Sequence, residues 1–481
     1  MSISSKQLAK NTSYFTIANI LQKIIAFIYF AVISRMIGPD NLGKYTFALS
    51  FTAIFAIFID IGLEKVLIRE SAKNLENAQN YFSNALGIKI PLLFLVAFVI
   101  FIITKLQPYP LITKQLIYIA VFIMAFDSFI LTMECIIRGN QTLKYESISI
   151  VSYQVITMII GIGGLLLGRS IKVLVIALLT ASIFRFFFTF IILIKKYKIY
   201  PKITYDKDII KFLLKTIVPF AIAGLFLRIY TCADSILLYY LKGDIAVGFY
   251  SVPYRATAAF QFIPMAFVAT LLPALSLFYV SSKDLLKRTF EKSLFFLTII
   301  SIPISFGIIA LSKEIIIKFF GVAYTPSILA LQILMTTLFF MFLDFPCGTL
   351  LNASNNEKIN TYLMGGAMVI NIISNLILIP RFGFIGSSVA MIISTLFLMI
   401  LRMFYSYKVI KFDILHLVGK FFKTLIAGLI MFFGVIYIKS FFNIYITTLI
   451  GIFIYCVAIL AIGALTTEDI KMVYRALLHK G

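Results

Sequence analysis

The sequence predicts an all-α membrane protein with about fourteen transmembrane helices. Of its 481 residues, 61% are hydrophobic and 13% charged, and the mean hydropathy of +1.02 lies far above that of a water-soluble chain of this length. Apolar runs near the roughly 20 residues that a helix needs to cross a bilayer recur almost without interruption. These runs show no alternation of polar and apolar positions, which argues for helices over a β-barrel.

The elements follow in order. Residues 1–11 are polar, and the run from Thr12 to Ser34 is too long for a signal-peptide core and lacks a cleavage site, so it is expected to be a retained first span. Further spans are expected at 45–62, 85–104, 115–137, 148–168, 172–194, 216–241, 249–277, 293–312, 328–351, 361–380, 386–405, 424–439 and 445–465. Of the 43 Lys and Arg residues, 26 fall in the tails and the loops after even-numbered spans, eleven in the other loops or at their borders (Lys172 and Lys439 are the end residues of spans), and six deeper within spans. This bias puts both termini in the cytoplasm and the chain in the cell membrane.

The net charge of +23 is therefore read as topology and not as nucleic-acid binding. Seven of the lysines sit in the connector KKYKIYPKITYDKDIIKFLLK at 195–215, which divides six spans from eight. Cys135, Cys232, Cys347 and Cys456 are scattered and show no C-x-x-C, and the histidines are His416 and His479 alone. With no metal-ligand cluster, nucleophile elbow or phosphate-binding loop, neither an enzyme nor an ATP-driven pump is expected, and no cofactor.

A repeat organises the rest. KIIAFIYFAVISRMIGPDNLGKY at 23–45 returns 205 positions later as RIYTCADSILLYYLKGDIAVGFY at 228–250. Both copies hold a cation, Lys23 or Arg228, and both close on Gly-x4-Gly-x-Tyr: Gly38, Gly43, Tyr45 and Gly243, Gly248, Tyr250. The glycines are expected to allow tight turns, and the tyrosines to anchor at the membrane interface. Prolines at 91, 219, 253, 264, 273, 303 and 346 make bent helices, with the seventh and eighth spans expected to be the most bent.

SRMIGPDNLGKYTFALSF after the first span, DIGLEKVLIRE at 60–70, ADSILLYYLKGDIAVGFYSVPYRA at 233–256, IPMAFVATLLPALS at 263–276 and IPRFGFIGSSVA at 379–390 resemble the polysaccharide flippases of the multidrug/oligosaccharidyl-lipid/polysaccharide exporter superfamily. Met36-Ile37 stands where that family often has Leu before the glycine. The resemblance implies two pseudo-symmetric six-helix bundles around a central cavity open alternately to either side, with two extra C-terminal helices. The expected segments are an N-terminal bundle at 1–194, the basic connector at 195–215, a C-terminal bundle at 216–405, and the extra helices and tail at 406–481.

A charge at mid-bilayer costs about 2.5–3.5 kcal/mol on insertion scales and so marks a cavity or a partner. Lys23 and Arg228 are expected to face each other across the cavity and hold the phosphate of a lipid-linked sugar, Arg by paired contacts and Lys as a point charge. Arg255 and Arg185 extend the cationic set, while Arg402 is expected to snorkel to the headgroups. Asp127, Asp234 and Asp344 are candidates for ion coupling or for pairing with these cations. Asp60, Glu64 and Arg69, with Glu70, form either a gate of salt bridges or a solvated helix end.

The reading is a flippase moving a polyprenyl- or dolichyl-(pyro)phosphate oligosaccharide to the outer leaflet. It is expected to act as a monomer among membrane lipids, beside the glycosyltransferases or polymerase of a glycan-assembly pathway. The alternatives are a cation-coupled drug or metabolite antiporter of the same superfamily, for which an anionic cavity is expected, and a membrane glycan polymerase or ligase, for which a long outer loop is expected.

Overall fold

The computed structural model describes residues 5–465 apart from 61, 74 and 141, and side chains from residue 14 onward except at 75–77 and 219. The C-terminal tail at 466–481 and the Pro219 side chain thus lie outside the described residues. Every regular element within them is a helix: α1 Ser5–Asp60, α2 Leu63–Lys73, α3 Leu75–Leu106, α4 Leu111–Gly139, α5 Leu143–Leu166, α6 Lys172–Tyr197, α7 Lys207–Lys242 and α8 Asp244–Phe260. There follow α9 Phe262–Ser281, α10 Lys283–Ala310, the short α11 Ser312–Ile315, α12 Ser327–Ala353, α13 Glu357–Phe382, α14 Phe384–Ile410, α15 Ile414–Ile438 and α16 Ile444–Ala461.

Among the described residues, thirteen helical stretches are long and apolar enough to cross a membrane. The first, Tyr14–Asp60, carries two of the expected spans, because Gly38 breaks α1 at φ 72° and ψ 173°. That accounts for all fourteen runs, and the protein is multi-pass. Phe94, Phe98 and Phe101, at helical spacing on α3, remain exposed, as side chains facing lipid do.

Polar side chains set several helix starts. Asp206 accepts the amides of Asp208 and Ile209 ahead of α7, Ser282 that of Leu285 ahead of α10, Asp413 that of His416 ahead of α15, and Asn443 those of Tyr445 and Ile446 ahead of α16. The eighth span is interrupted at Gln261, between α8 and α9, as its prolines lead one to expect. The seventh, by contrast, is a single 36-residue helix, α7.

The chain packs as two compact units. One runs up to Ser251 and includes Asn371–Ser387; the other holds Val252–Ile370 and continues from Ser388. In the first unit α1 packs on α4, α5 and α7, and α4 and α5 both pack on α6. The connector is strapped to α3. Gln79 receives the Tyr200 amide and donates to its carbonyl, Asn84 takes the Asp206 amide, and a Cβ on Gly87 would fall under 3.0 Å from the Thr204 carbonyl oxygen.

Also within the first unit, the two copies of the repeat meet. Gly243 adopts φ 79° and ψ −175°, the conformation of Gly38 205 positions earlier, in a region that L-residues avoid. A Cβ on Gly43 would fall under 3.0 Å from the Asp244 carbonyl, and one on Gly248 under 3.0 Å from the Pro39 carbonyl. Because 39 and 43 map onto 244 and 248 at the same offset, the two contacts are reciprocal. Tyr45 and Tyr250 are 4% and 1% exposed, so they are core residues and not interface anchors.

The second unit is built on α10, which packs against α9, α12 and α15, with α16 against α15. Ile302, Met431, Val435, Tyr455 and Ile459 form one of its cores. Gly428 lets α15 approach Ile302 closely, and the Tyr455 hydroxyl donates to the Ile299 carbonyl at 2.8 Å.

Candidate functional site

In the first unit a cavity of about 360 Å³ is walled by α1, α4, α6 and α7. Its polar lining comprises Thr52, Asp60, Asp127, Ser128, Glu134, Arg138, Arg185 and Arg228. Uncompensated charges at this depth would be unfavourable, and most of these groups are paired.

Lys89 of α3, almost wholly buried, donates to Asp60 Oδ1 at 2.8 Å, Thr132 Oγ1 at 2.6 Å, and the Ser128 carbonyl and hydroxyl at 2.9 and 3.1 Å. It ties together the end of α1, α3 and α4. Arg185 of α6 grips Glu134 of α4, with Nη2 2.8 and 2.7 Å from the two carboxylate oxygens and Nε 3.0 Å from the first. Arg138 joins Glu146 through Nε and Nη2 and reaches Glu64 through Nη1. Asp127 accepts a hydrogen bond from the Ser182 hydroxyl at 2.7 Å.

Arg228 differs from these. It stands on α7, exposed, at the wall of the same cavity, and forms no ion pair among the described residues. A guanidinium so placed offers its five donors to a ligand. Lys23, its repeat mate on α1, is exposed and is not among the residues lining the cavity. Arg255 is exposed on α8 and belongs to the second unit.

The remaining expected residues have local partners. Asp234 is buried, accepts from Tyr250 Oη, and accepts from Asn375 Nδ2 at 2.7 Å; Asn375 Oδ1 in turn accepts from Ser387 at 2.8 Å. In the second unit Asp344 pairs with Arg402 at 2.5 Å, and Gly348 leaves room beside the guanidinium. Arg402 therefore does not snorkel, since a buried carboxylate two helices away holds it.

Among the described residues, Asp60, Glu64 and Arg69 do not form one network. Asp60 goes to Lys89, Glu64 to Arg138, and Arg69 to Glu70 at 2.8 Å. Burial pushes the Glu70 carboxyl up, but Lys73 at 3.1 Å and Arg69 outweigh it and hold the group below its ordinary value.

Sequence reasoning missed Lys89, Glu134, Arg138 and Glu146 as site residues. Glu134 lies inside an expected span, and an acid there is a signal of the same kind as Lys23. The second unit holds a different kind of cavity, about 560 Å³ and almost entirely apolar, between α10, α15 and α16, with Pro303, Gly307, Met431, Ile452 and Tyr455 in its wall.

The described residues form a multi-pass helical membrane protein with a charged cavity inside one unit and an apolar one inside the other. Residues 8–278 match the model of the polysaccharide biosynthesis protein family, more than half of the chain, and the chain belongs to that family. Residues 219–377 also match the MatE model. The chain is 25% identical over 408 residues to the capsular polysaccharide biosynthesis protein CapF of Staphylococcus aureus, covering 83% of this chain and 99% of that one. It is 23% identical over 396 residues to the probable low-salt glycan biosynthesis flippase Agl15 of Haloferax volcanii, 80% of this chain and 81% of that one. Among solved structures, the lipid II flippase MurJ in an inward closed conformation superposes with a TM-score of 0.78 at 19% identity, over 97% of this chain and 99% of that one. Flippases and transporters are thus what the chain resembles.

Proposed function

We propose that the protein moves a lipid-linked oligosaccharide, carried on a polyprenyl or dolichyl phosphate or pyrophosphate, from the cytoplasmic to the outer leaflet of the cell membrane by alternating access. The observation that carries this is Arg228, a cation that forms no ion pair among the described residues, at the wall of a cavity whose other cations, Arg138 and Arg185, are paired. Arg suits phosphate because its planar fork gives two parallel contacts. Ground-state pairing leaves Arg185 and Arg138 committed to Glu134 and Glu146, so Arg228 is the first contact, and the exposed Lys23 and Arg255 are further contacts along the route. The apolar cavity between α10, α15 and α16 fits an isoprenoid or acyl chain and contains almost nothing polar to oppose it. Both termini face the cytoplasm in this reading, following the Lys and Arg bias. The names of the relatives support it.

The acids in the same cavity favour a second reading, a cation-coupled antiporter. Asp127 is held by a hydroxyl and not by a cation, and the MatE match agrees with that reading. One experiment separates them. Purified protein in vesicles is given a fluorophore-labelled polyprenyl phosphate disaccharide, and its arrival in the outer leaflet is read by quenching with dithionite. The flippase reading expects movement that falls in Arg228→Ala; the antiporter reading expects no movement of this probe, with uptake of a cationic dye driven by a proton or sodium gradient.

A further inference from the structure

We infer that the groove between α10, α12, α14 and α15 in the second unit binds one acidic glycerophospholipid, with an acyl chain in the groove and the phosphate on Lys420. The site is separate from the charged cavity, and the inference does not rest on the transport reading above.

The groove measures about 390 Å³ and is lined by earlier turns of α10 and α15 than those that line the larger apolar cavity. Phe295, Phe339, Met399, Met403 and Phe421 stand in its walls. Among the described residues Thr298 is the one polar side chain in the lining, and its hydroxyl already donates to the Leu294 carbonyl at 2.8 Å. Such a lining offers apolar contact and no free hydrogen bond, which suits hydrocarbon. The two methionines let the walls adapt to a flexible acyl chain. Ile414 and Val418, also in the lining, remain exposed, as do Leu415 and Phe422 beside them, so the groove opens onto an apolar surface of the kind that faces lipid.

Charge selects the headgroup. Lys420 Nζ stands 4.4 Å from the centroid of the Phe295 ring, part of the groove wall. Lys420 is partly buried and forms no ion pair among the described residues. A cation in apolar surroundings calls for a counter-charge, and a lipid phosphate at the groove edge supplies one. Side chains on a helix lean towards its N-terminus, so the ammonium is directed back towards the start of α15. The acyl chain then has the part of the groove beside Phe339 and Met399.

The neighbouring acids are engaged by other groups. Glu291 Oε1 accepts the Asp413 amide at 2.8 Å and lies 4.0 Å from Lys287, and Asp413 Oδ1 accepts the His416 amide at 3.0 Å. These bonds also fix the start of α15 against α10. Lys411, which precedes the lining residue Phe412, is exposed and holds φ 40°, a backbone conformation that lysine seldom adopts. It adds a second cation at that end of the groove.

The test exploits the absence of tryptophan from the sequence. Phe421→Trp places a single tryptophan in the groove wall, and Phe94→Trp places one on the exposed face of α3. Each full-length variant is reconstituted in vesicles of phosphatidylcholine and phosphatidylglycerol, with one of the two lipids brominated on its acyl chains so that it quenches tryptophan on contact. In Phe421→Trp, brominated phosphatidylglycerol should quench about fivefold more effectively than brominated phosphatidylcholine; in Phe94→Trp the two should quench alike. Adding Lys420→Gln to Phe421→Trp should remove the preference, whereas adding Lys105→Gln, at an exposed lysine of α3, should leave it.

Equal quenching by the two lipids in Phe421→Trp, or a preference that survives Lys420→Gln, overturns the proposal. So does stronger relief of the quenching by added polyprenyl phosphate than by added unbrominated phosphatidylglycerol, which would assign the groove to a polyprenyl chain. If Phe421→Trp does not fold, Val418→Trp, at an exposed position in the same lining, takes its place. A second readout needs no tryptophan. Phosphatidylglycerol added to the detergent-solubilised parent should raise its melting temperature by binding the folded form, equally so in Gly163→Ala, a position with open space around it, and less in Lys420→Gln. No rise in the parent, or an equal rise in Lys420→Gln, overturns the site.

Discussion

The two ends of the repeated segment behave differently, and the difference separates what the repeat does for the fold from what it does for chemistry. At the turn end, Gly38 and Gly243 share one backbone conformation, and Gly43 and Gly248 make mirror-related contacts. At the other end, the matched cations differ at the charged cavity: Arg228 lines it with Asp60, Asp127 and Glu134, and Lys23 is not among its lining residues. Backbone geometry tolerates no drift at a positive φ or a backbone-to-backbone contact, so glycine is retained in both copies. A charged side chain is constrained only by what it must bind, and the two copies are free to bind different things.

The largest expected effect tests whether a cation in this region serves the fold or the ligand. Lys89→Met should strand the Asp60 carboxylate, since breaking one side of a buried pair costs about 3–5 kcal/mol, and should appear as lost expression and thermal stability. Lys89→Met with Asp60→Asn should recover much of that loss. Arg228→Ala should do the opposite, leaving stability within about 0.5 kcal/mol while removing charged hydrogen bonds worth about 1.5–3 kcal/mol, or about ten- to a hundredfold in probe affinity. Arg228→Lys should retain part of the binding, measured by titrating the labelled probe.

A smaller effect examines the glycine half of the comparison. Gly38→Ala and Gly243→Ala each force a side chain into a positive-φ, extended-ψ conformation that essentially only glycine adopts, at about 1–3 kcal/mol. If the repeat is symmetric in energy as well as in shape, their losses of thermal stability should agree. The smallest effect is at Glu70. Its carboxyl is held below its ordinary value in the folded protein, so its contribution is present above the unfolded-state pKa and is lost as pH falls through the lower folded value. Its partners Arg69 and Lys73 are more than half exposed, so Glu70→Gln should change stability at neutral pH by at most about 1 kcal/mol and should flatten the acid limb of the pH–stability curve.

Much of the fold was legible because membrane helices announce themselves. Apolar runs of bilayer length and a glycine break at Gly38 are local in sequence, and the repeat shows when residues 23–45 are set against 228–250. The interruption of the eighth span was legible from its prolines, whereas the unbroken run of α7 from Lys207 to Lys242 was not. The site was legible in part. Arg228, Arg185, Asp60 and Asp127 were identifiable as charges within or beside apolar runs, and all four line one cavity. Their partners were not identifiable, since Lys89 to Asp60 or Arg185 to Glu134 are pairs across helices that no spacing rule reaches. Arg402 shows the same limit: its position near a span end suggested the headgroups, but its partner Asp344 comes from 58 residues away. Tyr45 and Tyr250 share a motif with interface anchors but lie in the core, because the turns they follow pack against each other.

The account is tested most directly by comparing translocation of the labelled polyprenyl phosphate disaccharide in vesicles containing equal amounts of the parent protein, Arg228→Ala and Gly163→Ala. The account predicts that the parent and Gly163→Ala move the probe alike and that Arg228→Ala, folded and present at the same level, moves it at least about tenfold more slowly. Movement by Arg228→Ala at the parent's rate would contradict it.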